Sequence, residues 1–132
     1  MSAFSTYLSQ QIINGTLRGQ ALTVPATLYL AQFTASPTDN NATTNEVAGA
    51  WYARQLATSW AAPVGAGNVT SNSNQIQYNA VTGAAVVVSH WGLYDAATGG
   101  NLLYHGAHTT PKTLNVGDVI VVGVGQLQIT VD

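Results

Sequence analysis

From Val24 onward, apolar side chains recur mostly at every second position, in short runs separated by residues typical of turns. A period of two is that of a β-strand, in which successive side chains point to opposite faces. Short strands spaced about 8–12 residues apart predict a mainly β fold, a single antiparallel β-sandwich of jelly-roll or immunoglobulin type. The main predicted strands cover residues 27–33, 51–60, 84–94, 102–107, 119–124 and 126–131, with a shorter one at 75–80.

Seven apolar positions within these strands are predicted to form the core: Leu30, Leu56, Val87, Leu93, Leu103, Ile120 and Ile129. The run from Gln126 to Val131 alternates throughout, so Leu127 and Val131 should also point inward. The strands at 84–94 and 102–107 flank a turn over residues 95–100, which predicts a β-hairpin.

The first residues have a helical period instead. A helix is predicted from Ala3 to Asn14, with Ser2 or Ser5 as its cap and Asn14-Gly15 as its stop. Such a short helix is marginal alone and must dock on something. The chain therefore divides into an N-terminal helix or attachment arm, residues 1–22, and a β-sandwich domain, residues 23–132. One helical face carries the predicted anchors Phe4, Tyr7, Leu8 and Ile12.

The composition argues against catalysis. Only 6% of the residues are charged, no cysteine is present, and the five acids lie in predicted loops and turns or at the last position. We therefore expect no enzyme, no cofactor and no metal site. Three basic residues are too few for nucleic-acid binding, and no segment predicts a membrane span or a signal peptide.

Histidines, tryptophans and arginines are the remaining candidates for specific contacts. His90 and His105 lie on the two arms of the predicted hairpin and are expected to face each other. The three tryptophans could form a sugar-stacking platform, but their places in alternating strands favour core packing. In a chain with only three cations, we expect Arg18 and Arg54 to make specific contacts, bidentate or cation–π.

Seven segments, in this order and spacing, carry a resemblance that spans nearly the whole chain: MSAFSTYL at 1–8, PATLYLAQFT at 25–34, SPTD at 36–39, Glu46-Val47 with WYARQ at 51–55, GLYDAATGGNLL at 92–103, TTPKTL at 109–114 and GD at 117–118. They resemble a family of small tailed-bacteriophage virion structural proteins, often described as tail-fibre or hypothetical structural proteins. One departure is Ala50-Trp51, where the family tends to have glycines before Tyr-Ala-Arg.

The resemblance implies a virion component without catalytic or metal-binding residues, made in the host cytoplasm. Because 132 residues leave no room for a fibre shaft, the favoured interpretation is a capsid decoration, or cement, protein that stabilises the head. The alternative is a tail or tail-fibre component involved in host attachment, and a third interpretation is a carbohydrate-binding module.

Low surface charge makes side-by-side packing inexpensive, so we expect a homo-oligomer, a trimer at a three-fold site. Its partners are expected to be the major capsid protein or other virion proteins, with a host glycan only under the alternative. The predicted interface residues are Phe4, Tyr7, Leu8, Ile12, Arg18 and Arg54.

Overall fold

The computed structural model describes residues 2–65 and 67–131. Within these ranges the chain forms one α-helix, one short 3-10 helix at Thr43–Asn45 and nine strands. The expectation of a mainly β fold with a short N-terminal helix is confirmed, while the sandwich type remains a prediction. The elements in chain order are β1 Ser2–Phe4, α1 Thr6–Leu17, β2 Tyr29–Phe33, β3 Gln55–Leu56, β4 Val69–Ser71, β5 Ile76–Gln77, β6 Val86–Tyr94, β7 Leu102–Leu114, β8 Val121–Val122 and β9 Gln128–Thr130.

Five strands form one antiparallel sheet in the order β1-β7-β6-β2-β3. Its centre is the predicted hairpin, in which β6 pairs with β7 from Val86 opposite Leu114 to Tyr94 opposite Leu102. The second strand is longer than predicted and continues through Pro111. Proline is tolerated there because β1 covers only residues 104–106, so that β7 is an edge strand beyond them.

Two two-stranded ribbons, β4–β9 and β5–β8, complete the β-structure of the described chain. Their apolar residues Ile76 and Ile129 join Leu30 and Leu93 of the sheet in the main core cluster. The core therefore lies between one face of the sheet and the two ribbons. A smaller cluster packs on the opposite face of the sheet: Ala31, Phe33, Tyr94 and Leu102.

Four of the seven predicted core residues are buried: Leu30, Leu93, Leu103 and Ile129. Ile120 is half-buried and packs against the main cluster. The prediction that Leu56 and Val87 belong to the core is wrong, since their exposed fractions are 49% and 48%. Leu56 lies in an edge strand of two residues, and Val87 is on the outward face of β6, between Val86 and Val88, which both pack in the main core. Val131, predicted to face inward, is also exposed.

Four predicted strands are much shorter in the structure, and one of them, 75–80, is reduced to Ile76–Gln77. Of residues 51–60 only Gln55–Leu56 forms a strand, because the side chains around it make the loop contacts described below. The two final runs shrink to β8 and β9 because a tight turn separates them. In that turn Gly125 has a φ of +78°, Gln126 N donates to Gly123 O at 3.1 Å, and Gly123 N donates to Gln126 Oε1 at 2.8 Å.

The helix boundaries also differ from the prediction. Residues 2–4 form strand β1 instead of the first helical turn, and the helix begins at Thr6 with Ser5 as its cap. Asn14-Gly15 does not end it. The helix continues to Leu17, and the left-handed residue that turns the chain is Gly19, at a φ of +66°. Among the described residues, no helix is long and apolar enough to cross a membrane.

Candidate interaction site

The start of the helix is fixed to the sheet through Ser5. Its backbone N–H donates to Leu103 O at 2.9 Å, its hydroxyl donates to Leu102 O, and the same hydroxyl accepts from Leu8 N at 3.0 Å. The next amide, Thr6 N, donates to Asp39 O at 2.8 Å. One buried serine thus joins β7 to α1 and satisfies a donor of the first helical turn.

The rest of the helix is poorly covered. None of its residues is buried, and its main contacts are with β1 and β7. After the helix the chain returns, so that Leu22 Cβ lies 3.6 Å from the position that a Cβ on Gly15 would take. Helix and return segment together expose four large apolar side chains, which we name the N-terminal apolar strip: Ile13, Leu17, Leu22 and Val24.

The strip is the notable apolar surface at this end of the molecule, because Leu17 is 80% and Val24 is 78% exposed. Scattered apolar residues on a surface are ordinary, but four large ones exposed on one helix end and on the segment that returns from it indicate a contact surface. The sequence interpretation missed it, since it assigned the contact to the face of Tyr7, Leu8 and Ile12. The available signal was Leu17, which follows Ile13 by four residues on a continued helix.

The predicted interface residues fall into two places. Tyr7, Leu8 and Ile12 lie half-buried on α1, and Arg18, just after it, is exposed and donates from Nη1 to Asn14 Oδ1 at 2.9 Å. Phe4, predicted on the same helical face, lies instead in β1, where its ring meets that of Tyr104 edge-on at 5.5 Å. A strand places it there because Phe4 pairs with Tyr104 in the sheet register.

Arg54 lies in a separate, buried cluster. Its Nε and Nη2 bind the two carboxylate oxygens of Glu46, each at 2.8 Å, and its guanidinium lies 3.6 Å from the ring centroid of Tyr94. Nη1 donates to Ala96 O at 3.0 Å and to Gly99 O at 2.7 Å. For Arg54 the expectation of a bidentate or cation–π contact is confirmed in both forms, whereas Arg18 makes the single hydrogen bond to Asn14 given above. These contacts hold the 96–99 turn against the segment around Glu46.

Three tyrosines surround this cluster. Tyr52 donates from its hydroxyl to Glu46 Oε1 at 2.9 Å, and Tyr78 donates to Leu30 O at 2.5 Å. Burial raises the pKa of Tyr52 and of Tyr78 well above the ordinary phenol value, and it raises the pKa of Tyr94 to about 12. All three hydroxyls are therefore protonated at neutral pH.

Each histidine has its own polar partner. His105 Nε2 lies 2.7 Å from Asp39 Oδ1, His108 Nε2 lies 2.7 Å from Gln32 Oε1, and His90 Nδ1 lies 2.8 Å from Ser89 Oγ. His90 and His105 do not face each other, since their partners across the hairpin are Ala107 and Gly92. Within residues 2–65 and 67–131, no group of three or more acids or histidines could hold a metal ion.

The tryptophans pack in the interior. Trp51 and Trp91 are buried members of the main core cluster, and the half-buried Trp60 packs against it. Trp60 also donates from Nε1 to Ala57 O at 3.1 Å. The core interpretation of these rings is confirmed, and they do not form an exposed platform for sugars.

Comparison with known proteins identifies the family. A family model described as Podophage GP4 fiber I protein gp80 matches residues 3–130. No curated protein matches the chain. The family match confirms the resemblance to small structural proteins of tailed-phage virions, and a fibre family implies a location in the virion. The match extends over almost every residue, from β1 to β9, and the chain therefore belongs to the podophage GP4 fibre I protein gp80 family.

Proposed function

We propose that the chain is a non-catalytic component of a phage tail fibre that serves host attachment and joins neighbouring virion proteins through its N-terminal apolar strip. The observation that carries the proposal is the family match over residues 3–130. Its description favours the tail-fibre interpretation over the capsid decoration that the chain length suggested.

The acidic side chains support a structural role. Glu46 is bound to Arg54, Asp95 accepts from the backbone and side chain of Asn101 at 2.7 and 2.9 Å, and Asp118 accepts from Asn115 N at 2.8 Å. These carboxylates accept hydrogen bonds that stabilise turns and loops, which is a structural role.

The N-terminal apolar strip supports the attachment surface. It is exposed and apolar, and Arg18 is the only charged residue among the first 24. A partner that covers this region therefore desolvates little charge, which lowers the cost of association. The homotrimer remains a prediction from the low overall charge, and light scattering at high concentration measures it directly.

A strip variant tests the attachment. Deleting the first residues would be a poor test, because β1 and Ser5 are parts of the sheet and its cap. Replacing Leu17 and Val24 by glutamine changes exposed atoms only, so the fold should persist. A matched control replaces Val64 and Val116, which are exposed in loops elsewhere, by glutamine.

Phage lacking the native gene product are complemented with each variant, and the amount of the chain in purified particles is measured by quantitative mass spectrometry. We expect the strip variant to be depleted at least several-fold and the control to be incorporated normally. Antibody labelling in electron micrographs should place the native chain on the tail. Normal incorporation of the strip variant would refute the attachment surface, and labelling of the head would refute the fibre role.

A further inference from the structure

A cleft opens between the main sheet and the ribbon strands. It lies beside residues 107–114 of β7, beyond the part of that strand that pairs with β1. Its volume is about 830 Å³, within the range of roughly 300–1,000 Å³ that is usual for small-ligand sites. One wall is the second half of β7, and the other is formed by residues 119–122 and 125–128. The cleft exists because β8 and β9 are short and leave this part of the sheet face without a paired cover.

The lining of the cleft mixes apolar and polar side chains. Leu30, Val88 and Trp91 of the sheet and the aliphatic run at 119–122 are apolar, while Thr110, Gln126 and Gln128 are polar. Amides and hydroxyls both donate and accept hydrogen bonds, as do the hydroxyls of a sugar. A lining that offers both apolar surface and hydrogen-bonding groups suits a ring that has apolar faces and a hydroxylated rim.

A hydrogen-bonded pair of polar side chains, Gln32 and His108, also lines the cleft. Gln32 is completely buried; its amide donates to Tyr78 Oη at 3.5 Å and its carbonyl accepts from His108 Nε2 at 2.7 Å. With the proton on Nε2, Nδ1 of His108 is an acceptor for a hydroxyl. Burial lowers the pKa of His108, and nearby His90 and Lys112 lower it further, so that the ring is neutral at pH 7.

The cleft has one charge. Lys112 lines it, and none of the described lining residues is Asp or Glu. Within the described ranges, no carboxylate forms an ion pair with this ammonium group. In a chain with a net charge of −2, an unpaired cation in a cleft without acids attracts a single negative group.

We propose that this cleft binds a short acidic saccharide, with Lys112 binding its carboxylate or phosphate and the Gln, Thr and His side chains binding its hydroxyls. The proposal deepens the fibre function and rests on it for the source of the ligand, a host-cell surface. Uronic-acid glycans and phosphorylated glycans both combine a negatively charged group with several hydroxyls, as this ligand requires.

Other ligand classes fit less well. A wholly apolar ligand would cover the Lys112 ammonium group and the side-chain amide of Gln128 without offering either a hydrogen bond, which costs free energy. Nucleic acid needs many cations, and the cleft has one. An extended peptide could add to the open edge of β7, but Pro111 offers no N–H there and Lys112 opposes regular pairing, as on other protected edges.

The test uses the purified full chain on an array that carries hexuronic-acid oligosaccharides, phosphorylated sugars and the neutral sugars of the same linkages, followed by calorimetry. We expect an acidic saccharide to bind more tightly than its neutral counterpart, and the two acidic groups of the array distinguish carboxylate from phosphate. Lys112→Met should weaken the binding by about tenfold, whereas Lys112→Arg should retain most of it.

A second variant tests the location of the binding site independently of charge. Thr110→Trp puts a large ring into the cleft from an exposed position and should abolish binding, whereas Thr98→Trp, in the exposed hairpin turn, should have no effect. The proposal is overturned if no acidic saccharide binds, if neutral sugars bind equally well, or if Lys112→Met and Thr110→Trp both bind normally. Saccharide binding by a chain found on the head would refute the fibre role and leave the cleft assignment intact.

Discussion

Replacing Arg54 by methionine removes the charge from a pair that is almost completely buried. The exposed fractions of the two side chains are 5% for Arg54 and 17% for Glu46. The methionine fills much of the same volume but leaves the Glu46 carboxylate without its two 2.8 Å hydrogen bonds. It also leaves the carbonyl groups of Ala96 and Gly99 without their common donor.

Loss of one member of a buried ion pair costs about 3–5 kcal/mol, because the remaining charge is desolvated and unpaired. Glu46 keeps the hydrogen bond from Tyr52 and some contact with solvent, which places the expected loss near the lower end, about 3–4 kcal/mol. A domain of this size is stable by about 5–15 kcal/mol, so this one substitution removes a large share.

Urea unfolding followed by tryptophan fluorescence measures the change, since urea does not screen charges. Arg54→Lys should lose less, because the charge stays and only the bidentate geometry is lost. The double variant Arg54→Met with Glu46→Gln should lose less than the sum of the single variants, because the stranded carboxylate is gone. Arg18→Met, an exposed cation removed from the end of α1, should stay within about 0.5 kcal/mol of the native chain. A loss below about 1 kcal/mol for Arg54→Met, with an unchanged urea dependence, would refute this reasoning.

Three further predictions concern stability. Leu93→Ala should cost about 2–5 kcal/mol and Leu56→Ala well under half of that, and equal losses in urea unfolding would contradict the assignment of only Leu93 to the core. Gly92→Ala should cost about 1–3 kcal/mol, because its Cβ would lie 2.9 Å from Leu102 Cδ1. An unchanged melting temperature would contradict this prediction, since it would mean that the side chain of Leu102 moves aside without cost. His108 has a lowered pKa in the fold, so its contribution to stability is complete above about pH 6.5 and is lost as the pH falls through that lowered value. Unfolding between pH 7.5 and 5 should show this decline, and His108→Gln should reduce it; the same decline in both proteins would assign it to other groups.

The sequence allowed those elements to be predicted whose signals are local. The hairpin of β6 and β7 follows from an apolar run, a turn and a second apolar run within 30 residues. Strand β1 has no such signal. It consists of three residues inside a helical pattern, and it exists only because residues 104–106 offer an open edge.

The same distinction applies to the interaction site. The contacts of Arg54 were predictable in kind, because a rare cation among aromatic residues needs a partner, but its pairing with Glu46 depends on how a loop folds back. The N-terminal apolar strip and the cleft were not predictable. Both depend on which apolar or polar side chains other elements leave uncovered, and periodicity carries no information about that.

The first strand and the last one are joined directly: Ser2 Oγ donates to Thr130 O at 3.0 Å and accepts from Thr130 N at 2.9 Å. These partners are 128 positions apart, and β1 must also wait for residues 104–106 before it has a strand to pair with. During synthesis, Ser2–Phe4 therefore leaves the ribosome long before any of its partners exists. Closing such long loops delays folding, so the chain should acquire its native structure late, in a slow step of milliseconds to seconds as in other folds of high contact order.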